Sequence, residues 1–308
     1  MFSKGCFPLK KIFGSFETTD MTYIPDRKTA PPHAPRFNEH GNRASPPAYT
    51  AGHYYAEADS SSTCEEYPIE KQEEPLSFTA ESDDKLPKSG PIRSTSSVTR
   101  NGPLNICGEV YTSGSLTLKD TIHVDGKTFS AGSTKLENNI TVQENVTSSG
   151  SLNCLDKIKI HGEVFSSASV HFRNSVKVDG GVKSSGSIHF EDNIKVGGAV
   201  GSSGSLTFDG DIKVHGRVWS TGSVTLKNGV SIGEGLDANG SVTVSGPGSV
   251  VVGGNMDCRN SVTLDGKLHV KGNLTVFGSL RHRVGSELTV DGRKIVHGSE
   301  DYDYEVTS

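Results

Sequence analysis

The chain has 308 residues, of which 32% are hydrophobic and 7% aromatic, and its formal net charge at pH 7 is −5. This balance does not favour a nucleic-acid partner, for which a basic surface is expected, and no apolar run reaches the roughly 18 residues of a membrane-spanning helix. The five cysteines are scattered without a CxxC pair, which fits a reducing, cytoplasmic compartment better than a disulfide framework or a zinc site.

Residues 1–16 interleave aromatic and aliphatic side chains with lysines. The apolar stretches are interrupted too often for the core of a secretory signal, so we do not expect secretion. Such a segment either contacts an anionic membrane surface, where each lysine contributes about 1 kcal/mol, or is a tail without a partner. In the first case Cys6 is a candidate for palmitoylation, which would supply a second anchor. The candidate membrane-contact residues are Phe2, Lys4, Cys6, Phe7, Lys10, Lys11, Ile12 and Phe13.

Residues 17–102 are rich in Pro, Ser, Thr, Glu and Asp and have no sustained hydrophobic periodicity. This composition predicts a disordered tail. Within it, the sequence PPAY matches the PPxY ligand of WW domains, in which a polyproline turn places proline and tyrosine rings in aromatic grooves. The candidate ligand residues are Pro46, Pro47 and Tyr49. A match of four residues also arises by chance in a Pro-rich tail, so a WW-domain partner and a motif without function both stay open.

From residue 103 to residue 298 the chain repeats itself every eighteen residues. The copy that begins at Ile194 reads IKVGGAVGSSGSLTFDGD, and the next, from Ile212, reads IKVHGRVWSTGSVTLKNG. After Val230 the pattern continues with two extra residues inserted twice. Fixed self-similarity of this length is typical of a solenoid.

The pattern inside one copy indicates which kind of solenoid is formed. Large apolar residues occupy positions one, three, seven, thirteen and fifteen, and this alternation predicts strands whose apolar side chains face inward. Position nine is inward by the same parity but small in most copies, as at Ser202. Positions five and eleven are mostly glycine and position seventeen is usually Asp, Asn or Gly, so we expect corners with positive φ there. The predicted fold is an all-β, single-stranded triangular β-helix.

The repeats have the form I-K-V-x-G-x-V-x-S-x-G-S-L and follow a Pro-containing tail that opens with Met-Phe and nearby lysines. In these features the chain resembles the bactofilins, the polymer-forming cytoskeletal proteins. The similarity covers residues 104–298 and involves repeat pattern, not a catalytic signature. It implies a right-handed β-helix that polymerises end to end, without nucleotide, into non-polar filaments, often at membranes. The solenoid is longer than the common bactofilin core and PPAY is more typical of eukaryotic cells, so the resemblance is to a eukaryotic, fungal-type relative.

Polymerisation is also expected from the ends of the solenoid. The end of a β-helix presents unpaired N–H and C=O groups above an apolar interior, which can template another coil, and monomeric solenoids usually cover such ends. We expect the first coil to begin at Leu104 and the last to precede an acidic disordered tail, residues 299–308. Alternatively, the linker or the tail folds over the ends and the protein is a monomeric rod. The candidate assembly residues are Leu104, Ile106, Val110, Leu116 and Leu118 in the N-terminal coil, and Leu288, Val290, Ile295 and Val296 in the C-terminal coil.

The outer positions do not predict an enzyme. The repeat differs from that of the left-handed acyltransferases, because position two is usually Lys or His and inward sites hold bulky residues such as Phe190. His171 and His189 stack at the outward position fourteen, but a catalytic histidine would need a cleft and a partner loop, and the corners are too short to build one. We therefore expect no catalytic, cofactor-binding or metal-binding residues. The expected function is a self-assembling structural scaffold, and the alternative is a monomeric adaptor that recruits a WW-domain protein through PPAY.

Overall fold

The computed structural model describes residues 86–304. These residues form 34 β-strands and no α-helix, wound into twelve stacked coils, each with one strand in the twelve-stranded second sheet. Adjacent coils are joined by parallel pairing with an offset of eighteen residues, as between Ile194 and Ile212. The predicted β-helix is confirmed. We call the strands at positions one to three the first face, those at seven to nine the second face, and those at thirteen to sixteen the third face.

Most of the strands are three or four residues long and follow one another at short intervals along the chain. The first half contains β1 (Lys88–Ser89), β2 (Ile92–Ser94), β3 (Val98–Asn101), β4 (Leu104–Ile106), β5 (Val110–Thr112), β6 (Leu116–Lys119), β7 (Ile122–Val124), β8 (Thr128–Ser130), β9 (Thr134–Glu137), β10 (Ile140–Val142), β11 (Val146–Ser148), β12 (Leu152–Leu155), β13 (Ile158–Ile160), β14 (Val164–Ser166), β15 (Val170–Arg173), β16 (Val176–Val178) and β17 (Val182–Ser184). The second half contains β18 (Ile188–Glu191), β19 (Ile194–Val196), β20 (Val200–Ser202), β21 (Leu206–Asp209), β22 (Ile212–Val214), β23 (Val218–Ser220), β24 (Val224–Lys227), β25 (Val230–Ile232), β26 (Leu236–Ala238), β27 (Val242–Val252), β28 (Met256–Cys258), β29 (Val262–Val270), β30 (Leu274–Val276), β31 (Leu280–His282), β32 (Glu287–Val290), β33 (Lys294–Val296) and β34 (Glu300–Tyr302).

The interior of the solenoid is a set of aligned columns of buried side chains. On the third face, the rings of Phe172, Phe190 and Phe208 stack face to face, with centroids 4.9 and 5.0 Å apart. All three side chains are fully enclosed. This spacing is close to the distance of about 4.8 Å between paired strands, so the backbone pairing itself holds the rings in contact.

The second face carries a column of buried serines at position nine. The Oγ of Ser202 donates to the carbonyl oxygen of Gly186 at 2.8 Å and accepts from the N–H of Gly204 at 3.1 Å. The same donation to the preceding coil recurs at five other serines: Ser130, Ser148, Ser166, Ser184 and Ser220. The small residue predicted at position nine is therefore a hydroxyl that satisfies corner backbone groups.

Replacing Ser202 by alanine is expected to lower the free energy of unfolding by about 1 to 2 kcal/mol, because the corner backbone groups lose their buried partner. Urea denaturation followed by circular dichroism measures this change. The matched control is Ser203→Ala, at the adjacent exposed position, where an effect below about 0.5 kcal/mol is expected. Equal losses in the two variants would contradict a role for the buried hydroxyl.

The corner at position seventeen is left-handed, as the sequence predicts. Asp120 and Asn138 have φ angles of 61° and 60°, and the Nδ2 of Asn138 donates to the Oδ1 of Asp120 at 2.8 Å. Short polar side chains tolerate this conformation and support it by hydrogen bonding to the adjacent coil. The prediction of positive φ at position seventeen is therefore confirmed.

The glycines at positions five and eleven have a different cause from the predicted one. With the exception of Gly108, their φ angles lie outside the left-handed region. A Cβ on Gly204 would instead lie 2.7 Å from the Oγ of Ser187, and one on Gly216 would lie 2.7 Å from the carbonyl carbon of Gly198. Glycine is needed at these corners because neighbouring coils approach too closely for a side chain.

The solenoid extends beyond both predicted boundaries. At the N-terminal end, β1, β2 and β3 form a coil within residues predicted to be disordered, so the predicted start at residue 103 is too late. In this coil Ser89 stands in register with Ile106, and Arg100 stands in register with Leu118, which weakens the periodicity. At the other end, β34 lies inside the predicted acidic tail.

The two insertions both fall at the corner between the third and first faces. β27 and β29 run through this corner without a break, and their register shifts between Ser245 and Ser249. The second insertion lengthens the offset to twenty residues, so that Leu268 pairs with Leu288. Because the extra residues stay in the corner, the inward columns remain aligned on either side of them.

Candidate assembly surfaces and an outer histidine cluster

The N-terminal end face is made by the additional coil, and not by the residues predicted to form it. Leu104 is half-buried, and the other four predicted residues are fully enclosed: Ile106, Val110, Leu116 and Leu118. They are covered because Ile92 pairs with Val110 and Val98 pairs with Leu116. In this outermost described coil, Ile92 and Val98 are buried, at 9% and 5% exposed.

The C-terminal end face contains three of the four predicted residues. Leu288, Val290 and Val296 are partly buried and pack against the core. Ile295 is 42% exposed and stands in register with the outward Thr275. Its side chain therefore lies on the outer surface and not on the end face, where it was predicted. The inward site beside it, in register with Leu274, is occupied by Lys294.

A polar cluster lies among these apolar residues at the C-terminal end. The carboxylate of Glu300 accepts hydrogen bonds from the Nζ of Lys294 and the hydroxyl of Tyr302, both at 2.7 Å, and lies 3.1 Å from the Nε2 of His282. Burial opposes ionisation here, but the hydrogen bonds from Lys294 and Tyr302 prevail and lower the pKa of Glu300. The C-terminal end face therefore combines an apolar part with a polar part, in which Glu300 is paired with Lys294, Tyr302 and His282.

Backbone groups at both ends point away from the solenoid. In the interior, the N–H of Val200 donates to Arg217 in the next coil, whereas the N–H of Ser203 donates to Ser184 in the preceding coil. Within the strands, odd positions therefore bond forward and even positions bond backward, whereas corner residues such as Gly204, whose N–H donates back to Gly186, do not follow this alternation. In the outermost described coils, β2 pairs only with β5 and β33 only with β30. By this alternation, backbone groups at even strand positions, such as Thr99, point outward at the N-terminal end. Those at odd strand positions, such as Val290, point outward at the C-terminal end.

A separate cluster on the outer surface combines two histidines and a glutamate. His171 pairs with His189 across β15 and β18, and Glu191 follows on the same side of β18. The Nε2 of His189 lies 2.5 Å from one carboxylate oxygen of Glu191, and the Nε2 of His171 lies 3.8 Å from the other. Burial, and next the charge of His189, lowers the pKa of His171, while the hydrogen bond from His189 lowers the pKa of Glu191.

The sequence indicates the stacking of the two histidines but not the contribution of Glu191. The signal is present in the His-Phe-Glu sequence of β18, where parity places the first and third residues on the same outer surface. The predicted membrane-contact residues, Phe2 to Phe13, and the predicted WW ligand, Pro46, Pro47 and Tyr49, lie outside residues 86–304. Among residues 86–304, no helix has the length and apolar character needed to cross a bilayer.

The chain matches no protein-family model, no curated protein and no solved structure. The two end faces and the outer histidine cluster are therefore the features from which a function can be inferred.

Proposed function

We propose that the protein is a structural scaffold of the bactofilin type, whose solenoid assembles end to end into filaments. The observation that carries this proposal is the pair of open coil edges. Within residues 86–304 no further strand pairs with β2 or β33 on their outer sides. A sheet edge of this kind is a template for pairing with another chain unless something covers it.

Side chains of the end faces also favour end-to-end assembly. Leu288, Val290 and Val296 at the C-terminal end are only partly buried, and a second copy would complete their burial. Backbone pairing contributes roughly 1 kcal/mol net for each hydrogen bond, and the apolar contact adds about 25 cal/mol for each Å² buried. Neither contribution requires nucleotide. In this proposal, residues 1–16 hold the filament at an anionic membrane surface in the cytoplasm.

Negative-stain electron microscopy of the full-length protein at micromolar concentration tests the proposal. Filaments are expected without nucleotide, and addition of ATP or GTP should leave their number and length unchanged. Fibre diffraction should show a meridional spacing of about 4.8 Å, the distance between paired strands, because strands run across the filament axis. Single particles at every concentration would overturn the polymer and favour the adaptor, which a comparison of wild type with Tyr49→Ala for binding to WW domains would then test.

A further inference from the structure

The outer histidine cluster gathers three groups that bind metals from two adjacent coils. His171 comes from β15, and His189 and Glu191 come from β18. One ligand atom from each side chain can be chosen so that all three lie within 4.8 Å of one another. Each side chain is between 35% and 39% exposed, so the cluster lies at the surface, although the Nε2 of His171 itself is enclosed.

The distances within the cluster suit a single ion. Zinc binds imidazole nitrogen and carboxylate oxygen at about 2.0 to 2.2 Å, so two atoms bound to one tetrahedral ion lie about 3.4 Å apart. The separations from the Glu191 oxygens, 2.5 Å to His189 and 3.8 Å to His171, bracket this value. With one atom from each of the three side chains within 4.8 Å of the others, the half-exposed side chains need to move by little more than 1 Å toward the separation of about 3.4 Å at a single ion.

A second observation points to a missing partner at the same place. The Nε2 of His171 is enclosed, and among the described residues it has no hydrogen-bond partner, because 3.8 Å is too long for a hydrogen bond. An enclosed polar atom without a partner is uncommon and calls for an explanation such as an ion. In the tautomer that carries its proton on Nδ1, the neutral imidazole presents a lone pair at Nε2, and this is the form that binds metal.

We propose that His171, His189 and Glu191 bind a divalent transition-metal ion on the third face of the solenoid. Two imidazoles and one carboxylate favour Zn²⁺, and they also suit Cu²⁺ or Ni²⁺ better than Mg²⁺ or Ca²⁺. The ion links two coils through their side chains, and water fills the coordination position left open. This site departs from the sequence expectation that the chain has no metal-binding residues.

The neighbouring residues define the limits of the site. Asn153 and Thr207 continue the column of His171 and His189 on either side, so the imidazoles end there. Arg173 stands in register with Glu191, and its positive charge adds a small part to the lowering of the pKa of His171, which is due mainly to burial, and of the pKa of Glu191, which is due mainly to the hydrogen bond from His189. The same charge opposes the binding of a cation, so Arg173 weakens the site without being a ligand.

Isothermal titration of the full-length protein with zinc chloride, after chelator treatment and at neutral pH, tests this site. Wild type should bind one equivalent of zinc at this site. In His171→Ala and His189→Ala the affinity for that equivalent should fall at least about tenfold, a loss of about 1.4 kcal/mol in binding free energy. The control is His161→Ala, which removes a histidine that pairs with Asp179 at 2.7 Å and should leave the titration unchanged. Histidines and cysteines in residues 1–85 are common to all these proteins and cancel in the comparison.

Two outcomes would overturn the site. One is a wild type that binds no zinc, and the other is a titration that His171→Ala and His189→Ala leave unchanged. A further variant gives a change of opposite sign, since Arg173→Ala removes the opposing charge and should tighten zinc binding severalfold. Unchanged or weaker binding in Arg173→Ala would place the ion elsewhere. Circular dichroism of each variant checks that the half-exposed substitutions leave the solenoid folded.

Discussion

Filaments are expected to disappear when Thr99 is replaced by proline, while the solenoid itself stays folded. Thr99 lies in β3 of the outermost coil at an even position, so its N–H points away from the solenoid and has no role in pairing with β6. Proline removes that donor and places a ring where a second copy would pair. The solenoid itself should tolerate proline here, because an outward N–H on an edge strand makes no hydrogen bond within the sheet. The critical concentration for assembly should rise at least about tenfold, equivalent to about 1.4 kcal/mol.

Sedimentation and electron microscopy of Thr99→Pro measure the effect, and Thr99→Ala is the control because it keeps the N–H and should still form filaments. Thr117→Pro provides the opposite comparison. This residue is in register with Thr99 one coil further in, where its N–H belongs to the ladder, so the substitution should unfold the coil. Filaments of normal length from Thr99→Pro would contradict assembly through the β1–β3 end.

Phe190→Ala is expected to lower the free energy of unfolding by about 3 to 5 kcal/mol, the range for removal of a buried phenylalanine. The ring of Phe190 lies between those of Phe172 and Phe208 and is fully enclosed, so its loss leaves a cavity lined by two rings. Each coil of a solenoid is stabilised mainly by its neighbours. The cavity should therefore also weaken the coupling between the coils on its two sides.

Urea denaturation measures the loss, and hydrogen exchange locates it. Phe190→Leu is the matched control, since it keeps most of the volume and should cost less than about 1.5 kcal/mol. In Phe190→Ala, the amides of β15, β18 and β21 should exchange faster than those of β28 and β30. Equal stability of the two variants would contradict a continuous column of stacked rings.

The fold could be predicted from the sequence because each interior coil repeats the same in-and-out alternation. Ile194, Val196, Val200, Leu206 and Phe208 all lie inside, as their positions predict. The period also predicts that His171 lies against His189. The alternation therefore predicts the features that depend only on the position of a residue within one coil.

The terminal coils and the metal-binding cluster could not be predicted for physical reasons. A terminal coil faces a neighbour on one side only, so polar residues such as Arg100 and Lys294 are tolerated at inward sites and the pattern fades. The cluster depends on the distances between side chains of two coils, which the period alone does not provide. The sequence predicts the positions of the corner glycines but not their cause, because Gly204 and Gly216 do not adopt positive φ and instead lie too close to the adjacent coil for a side chain.

The three interior columns are chemically unequal, with serine hydroxyls on the second face and phenylalanine rings on the third. A triangular coil placed on another could be turned by a third of a revolution and still bring three strands against three. The unequal columns, which the corner insertions leave aligned, remove that freedom, since a turned copy would set a column of one kind against a column of another. A joint between copies would then allow one rotational orientation, so the histidine clusters of neighbouring copies would stand at a fixed angle to each other about the filament axis.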